Sequence, residues 1–341
     1  MLRPKRVKTP LSLSEVSSIL ILRYDALGDA VLTTPVWRSI KKYAPHIKIG
    51  VAGSARNRAL LEADPDIDEV FILSRGLSMR TLRELRRAKQ TKWDIVLNLF
   101  FHDKTRAAIF SKIVAPSGIS VTIVREKKEK YLRLYSTIGD RPAIPTPMVL
   151  QNLKVLEEAV DISITEMDTF PSLLLNANVQ KFFQYELHIL LAGLESYIII
   201  NTDASQTYKE WGFENSLALS KLLMSNTKYQ VFWTSAPQRA TATKHYLDEH
   251  PPHDVKYLDT PSILHLAAAV RGAAAVVSPD TSVIHFATAQ QTPVVGLYLE
   301  ENEFLPYGSI SRVLFAPDRM RASLISVEDV YNALTGMLAP R

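Results

Sequence analysis

The chain has no cysteine, which removes disulfide frameworks and thiolate metal sites together and fits a reducing, cytoplasmic compartment. Glycine is scarce, with 12 in 341 residues. The turn after the first predicted strand carries only Gly28, so the G-x-G-x-x-G spacing of a nicotinamide site is missing. Long apolar runs are missing too. The longest, Ile263 to Val277, is broken by His265, Arg271 and Gly272, and spans no bilayer. The basic start, MLRPKRVKTPLSLSEVSS, is followed by no apolar stretch of signal length, so no secretory leader is expected. What remains is an ordinary globular composition, 47% hydrophobic and 22% charged, on a chain long enough for two domains with separate cores.

Acidic residues are sparse in the first half. Residues 1–150 hold 27 Lys+Arg against 14 Asp+Glu, and residues 151–341 hold 13 against 21, so the net charge of +5 conceals a basic and an acidic half. Arg75, Arg80, Arg83, Arg86, Arg87, Lys89 and Lys92 crowd one helical stretch, and REKKEKYLR at 125–133 adds a second cluster. Such clusters suit an anionic surface. No aromatic-rich recognition motif accompanies them, and the acidic second half argues against a nucleic-acid-binding protein.

Apolar runs alternate with helical patterns throughout. Strands are expected at 18–24, 47–52, 69–73 and 94–99, with helices near 56–63 and 79–89, and again at 197–201, 230–234, 255–258 and 274–278, with helices at 149–160, 213–224 and 327–338. This alternation implies two α/β halves built on parallel sheets. A polar stretch from Asp161 to Ser172 reads as the link between them. Asp25-Ala26-Leu27-Gly28-Asp29 forms a tight turn into a helix with Pro35 near its start. Gly28 there suits a close backbone approach or positive φ, and Asp29 falls at the carboxyl edge of the sheet, where open α/β folds place their ligands. Helix capping is its alternative role.

The second half centres on AAAVVSPDTSVIHFATAQQTPVVGLY, a strand, a helix and a strand. Asp280 or Thr281 can cap that helix, whose free N–H groups and positive dipole end suit phosphate. His285 lies one turn on, on the same face as Thr281. A capped helix with a core histidine is the plainer alternative. His245, His250 and His253 are weak metal candidates, and no metal is expected.

Three blocks, RYDALGDAVLTTPVWRSIKKYAP at 23–45, NTDASQTYKEWGFENSLALSKLL at 201–223 and SPDTSVIHFATAQQTPVVGLY at 278–298, together resemble the ADP-heptose:lipopolysaccharide heptosyltransferases, glycosyltransferase family 9. The resemblance implies the GT-B fold, two Rossmann-like domains facing across a cleft: an acceptor-binding domain at 1–172, a nucleotide-sugar-binding domain at 173–320, and a closing helix at 321–341 with the option of packing back on the first. It implies an inverting, metal-independent transfer of a heptose or related sugar from a nucleoside-diphosphate donor, without a cofactor. The acceptor is expected to be an anionic, lipid-linked lipopolysaccharide core saccharide at the inner face of the cytoplasmic membrane, which makes the protein cytoplasmic and peripherally membrane-bound.

By residue, the resemblance puts donor contacts on Ser205, Lys209, Asp280, Thr281, Ser282 and His285, and the general base on Asp29. Acceptor contacts fall on Gly28, with Arg23, Arg75 and Arg80 as further candidates. Two positions depart from the family pattern: Ser282 stands where relatives usually have glycine, and the loop SAPQR at 235–239 where many carry an acidic residue. A nucleotide-sugar epimerase of similar architecture and a non-catalytic sugar-nucleotide-binding relative are the alternatives. Asp29, Lys209, Asp280 and His285 together favour the transferase, because a binding module has no use for a base.

Overall fold

The computed structural model describes residues 8–74, 78–101, 104–126, 133–181, 184–185, 196–251, 254–308 and 310–338. The chain divides into two compact units, Met1–Leu174 and Leu175–Arg341.

The first unit holds a six-stranded sheet of β1 (Ser18–Leu22), β2 (Lys48–Gly53), β3 (Glu69–Ile72), β4 (Ile95–Asn98), β5 (Ile119–Val124) and β6 (Thr137–Asp140), in the order β3-β2-β1-β4-β5-β6. Every pairing is parallel. All five residues of β1 are buried, the near-continuous apolar run of a strand covered on both faces. Register places Leu20 between Gly50 and Val96. Gly50 is required by packing: a Cβ there would lie 2.4 Å from the Trp93 ring, one of the largest fully buried side chains. Leu20, Leu22, Phe71, Trp93 and Phe110 form one core of this unit.

The second unit repeats the plan with β7 (Tyr197–Asn201), β8 (Gln230–Thr234), β9 (Lys256–Tyr257), β10 (Ala275–Pro279), β11 (Val294–Tyr298) and β12 (Ser311–Phe315), in the order β12-β11-β10-β7-β8-β9. Counted within the unit, this is the same order as in the first, read from the opposite edge, with the first and fourth strands adjacent in both. Again every pairing is parallel. Both are doubly wound sheets in which the chain reverses direction beside the first strand, leaving a crevice at the carboxyl ends of the first and fourth strands.

The helices of the first unit are α1 (Leu27–Val31), α2 (Thr34–Tyr43), α3 (Arg58–Ala63), α4 (Met79–Ala88), α5 (Lys104–Val114) and α6 (Met148–Glu157); those of the second are α7 (Phe213–Asn226), α8 (Ala240–Glu249), α9 (Ile263–Gly272), α10 (Ser282–Ala289) and α11 (Val327–Leu338). Where one helix with an early proline is expected, there are two. Pro35 lacks an N–H and its ring excludes the carbonyl four residues back, so α1 ends and a new helix begins with the proline in its first turn. The stretch 161–172, expected as a link, is docked on the first unit: Ser172 N–H donates to Thr34 Oγ1 at 2.9 Å and Arg38 Nε to Ser172 Oγ at 3.2 Å. The closing helix α11 buries Val330 and Leu334 in the core of the second unit. No helix among the described residues is long and apolar enough to cross a membrane.

Candidate active site

In the first unit the chain leaves β1 through Arg23, whose N–H donates to Ala52 O at 2.9 Å. The guanidinium is 1% exposed and all of its nitrogens are engaged. Nε donates to Thr33 Oγ1 (2.8 Å), Nη2 to Asn152 Oδ1 (2.6 Å), and Nη1 to Asp25 Oδ2 (2.8 Å) and Asp29 Oδ1 (3.5 Å). Expected among the acceptor contacts, Arg23 instead forms the floor beneath two carboxylates. Thr33 fixes the turn by donating to Asp29 O at 2.7 Å, and Asn152, from α6, donates to Leu32 O at 3.0 Å.

Asp29 is not the N-cap residue of its helix, although its carboxylate takes a backbone hydrogen bond at Ala26. The N-cap is Ala26, without a side-chain bond, and Asp29 sits within the first turn. Burial pushes its carboxyl up from 3.8 to about 6, against the pull of Arg23 and with a further push from the neighbouring charge of Asp25. The other Asp25 oxygen, Oδ1, is buried without a hydrogen-bond partner. Gly28 is helical in α1, and the positive-φ glycines among the described residues are Gly212 and Gly308, so of its two expected roles, close backbone approach or positive φ, the second is not adopted.

Asp29 opens into a cavity of about 790 Å³ whose lining also includes Tyr24, Asp25, Ser54, Arg56 and Arg106. Tyr24 and Phe100 hold their ring centroids 4.5 Å apart on one wall. Sequence reasoning misses Arg56 and Arg106. The signal for Arg56 is its place just after β2 at the carboxyl edge of the sheet, whereas Arg106 arrives from the unforeseen α5. Arg80, expected as an acceptor contact, is exposed on α4 and does not line this cavity. Arg75 lies outside the described residues.

In the second unit, the carboxyl ends of β7 and β10 meet at the corresponding crevice. Thr281, not Asp280, is the N-cap of α10, accepting from Val283 N–H at 3.3 Å. Asn201 at the end of β7 donates to Ser278 Oγ and Thr281 Oγ1, both at 3.1 Å, tying the helix start to the neighbouring strand. Asp280 is thereby free for a different partner, and its Oδ2 lies 2.7 Å from Lys209 Nζ. Lys209 ends a short 3-10 helix, Thr207–Lys209, after the β7 loop, and Ser205 is exposed in that loop. Ser282 opens α10.

His285 is 4% exposed and its Nδ1 is buried without a partner. Burial drives its pKa down to about 4, with Asp280 pulling the other way. The ring is therefore neutral near pH 7, able to share a hydrogen bond but not to supply a charge. Of the three histidines weighed as metal ligands, His250 Nδ1 lies 2.9 Å from Tyr246 O, His245 Nε2 lies 3.4 Å from Glu249 Oε1, and His253 is outside the described residues.

Two crevices of one topology thus carry opposite chemistry, a carboxylate with a raised pKa in one and a lysine beside a capped helix start in the other. The family model for glycosyltransferase family 9 (heptosyltransferase) matches residues 80–317. The chain belongs to that family. It is a glycosyltransferase, and the epimerase alternative falls with that membership. The matched span leaves out the Asp29 turn. Similarity to the lipopolysaccharide core heptosyltransferase OpsX of Haemophilus influenzae runs over 315 residues at 24% identity, covering 89% of this chain and 86% of that one. Among solved structures, a family 9 glycosyltransferase from Veillonella parvula aligns with a TM-score of 0.80 at 19% identity, over 94% of this chain and 97% of that one. Escherichia coli heptosyltransferase WaaC, solved with ADP-2-deoxy-2-fluoro heptose, aligns with a TM-score of 0.74 at 18% identity, over 94% and 99%. These likenesses establish the GT-B fold class.

Proposed function

We propose that this glycosyltransferase moves a heptose from ADP-heptose to a lipopolysaccharide core saccharide, with inversion at the anomeric carbon and without a metal ion, on the cytoplasmic side of the inner membrane. The observation that carries the mechanism is Asp29: a carboxylate held by Arg23, with its pKa raised, on the wall of a roomy cavity. In a single displacement the acceptor hydroxyl loses its proton as its oxygen bonds to the anomeric carbon, and Asp29 takes that proton. The bond to the diphosphate oxygen breaks on the opposite face, and one displacement inverts the centre. Lys209 and the N–H groups at the start of α10 meet the charge developing on the departing nucleoside diphosphate, as a helix N-terminus and an ammonium do for phosphate groups. Donor and acceptor are inferred from the relatives: WaaC was solved with an ADP-heptose analogue, and OpsX is a lipopolysaccharide core enzyme.

The test is incubation with ADP-heptose and a heptose-free lipopolysaccharide acceptor, following ADP release and the acceptor's mass. Release that depends on acceptor, with one heptose gained, is expected. Binding of the donor without any transfer would leave the non-catalytic relative as the answer. A chelator should leave the rate unchanged; loss with EDTA and recovery with magnesium would replace Lys209 by a metal as the leaving-group partner.

The pH profile follows from Asp29. The base must be ionised, and its pKa in the free protein is raised to about 6. Accordingly kcat/KM is expected to be full above that value and to fall about tenfold for each pH unit below it. A profile level down to pH 4 would show that Asp29 does not take the proton.

A further inference from the structure

The cavity of Asp29 adjoins a second hollow of about 330 Å³ in the same unit, and Tyr24, Leu73 and Arg106 line both. Its remaining walls come from facing sides of α4 and α5, chiefly Leu85, Ile109, Phe110 and Ile113. Apolar residues continue out to solvent around it: Met79 is 80% exposed, Leu82 38%, Ile109 51% and Ile113 41%. Single exposed apolar side chains are common, but here two line the hollow from α5 and two more lie on the neighbouring α4, whose Thr81 and Leu85 line it too. On α4 the spacing of three and four residues sets Arg83 beside Met79, and Arg86 beside Leu82, on the outward face. Arg80, Arg83 and Arg86 are exposed and enter no ion pair among the described residues, whereas Arg87 is committed to Glu84 at 2.6 Å.

We propose that this α4–α5 face docks on an anionic bilayer surface. Met79, Leu82, Ile109 and Ile113 enter the boundary between headgroups and acyl chains, while Arg80, Arg83 and Arg86 meet lipid phosphates. Charge decides the occupant. The cations are interleaved with the apolar side chains instead of being segregated from them, which suits a surface that offers anionic groups and hydrocarbon within one layer. Adjacency supports the same choice, because a face that shares Tyr24, Leu73 and Arg106 with the Asp29 cavity keeps a saccharide projecting from the bilayer close to Asp29. The inference deepens the proposed function and rests on its lipid-linked acceptor.

The test is co-sedimentation of the full chain with vesicles of equimolar phosphatidylcholine and phosphatidylglycerol, and with vesicles of phosphatidylcholine alone. The protein is expected to bind the first and not the second. Each arginine at such a surface contributes roughly fivefold in partitioning, so Arg83→Gln with Arg86→Gln should lower it by about 25-fold. Ile109→Asp with Ile113→Asp should lower it at least about tenfold, while Lys221→Gln with Lys228→Gln, exposed on the second unit, should leave it unchanged. All of these variants should keep transfer to a water-soluble acceptor fragment. That arm reports the glycosyltransferase reading separately, since wild type inactive on the fragment yet bound to anionic vesicles would sink that reading and spare the docking face. Equal binding to both vesicle types, or binding undiminished in the α4 and α5 variants, would overturn the proposal. So would a dimer that Ile109→Asp with Ile113→Asp dissociates in protein that binds no vesicles, which would assign the face to a second copy of the chain.

Discussion

Replacing Asp29 by asparagine should lower kcat at least about a hundredfold while leaving the fold and the donor affinity intact. The amide keeps the size of the carboxyl and can still face Arg23, but it accepts no proton. Stability should move in the opposite direction from activity. The folded pKa of Asp29, about 6, lies above its ordinary 3.8, so folding favours the protonated form. That contribution is fully present below 3.8 and is lost as pH rises through about 6. At pH 7 the wild type therefore carries an ionised carboxylate in a poorly solvated place, at a cost on the order of 3 kcal/mol. The neutral amide removes this cost. The variant should unfold at a higher temperature than wild type at pH 7, with the gap closing toward pH 4. Arg23 keeps Asp25, Thr33 and Asn152 in the variant, so its burial is not left uncompensated. Full kcat in the Asp29→Asn protein would move the base elsewhere, with Asp25 the neighbouring carboxylate to test; a variant that does not fold would make Asp29 a structural residue.

Lys209→Ala should lower kcat/KM for the donor by roughly a hundred- to a thousandfold, the usual scale for losing one group that stabilises a developing anion. Asp280→Ala should cost less, because its carboxylate holds the ammonium at 2.7 Å without capping the helix, a task that Thr281 performs. A residue that works through another leaves a signature in the double variant. Lys209→Ala combined with Asp280→Ala is expected to be no slower than Lys209→Ala alone. Losses that multiply in the pair would mean that Asp280 contacts the donor directly, and single variants at wild-type rates would remove both residues from the site.

Several of the strands legible in sequence are buried on both faces, although the half-exposed edge strands β3 and β9 are expected as well. SILIL, YIIIN and AVVSP announce themselves because a parallel strand between helices needs apolar residues at every position. Burial alone does not decide it: β5, buried at all six positions, goes unexpected together with β6 and β12, whose half-exposed and exposed residues lie at the edges of their sheets. Helix α5 is hard to see beside the charge of its neighbour α4, although its own buried side meets the sheet. Asp29, Asp280 and His285 stand out because each lies beside a strand's carboxyl end or in the first turns of a helix, whereas Lys209 is pointed out only by the family resemblance. Their partnerships do not stand out. Asn152 reaches Arg23 across 129 positions of sequence and Asn201 reaches Thr281 across 80, and no local pattern signals contacts made only by tertiary folding. For the same reason the neutral state of His285 is invisible in sequence, since it depends on what covers the ring and not on what precedes it in the chain.

The ion pair between Lys209 and Asp280 also bears on how each catalytic cycle ends. A lysine waiting alone would hold whatever anion came first, including the spent nucleotide, and release would then limit turnover. On the proposed function the ammonium already has a resident counter-ion, so an arriving diphosphate would exchange with the carboxylate, which stays at hand for the reverse exchange. Binding becomes an exchange between two anions on one cation. On that reading, affinity for free nucleotide is traded for faster clearance of the product.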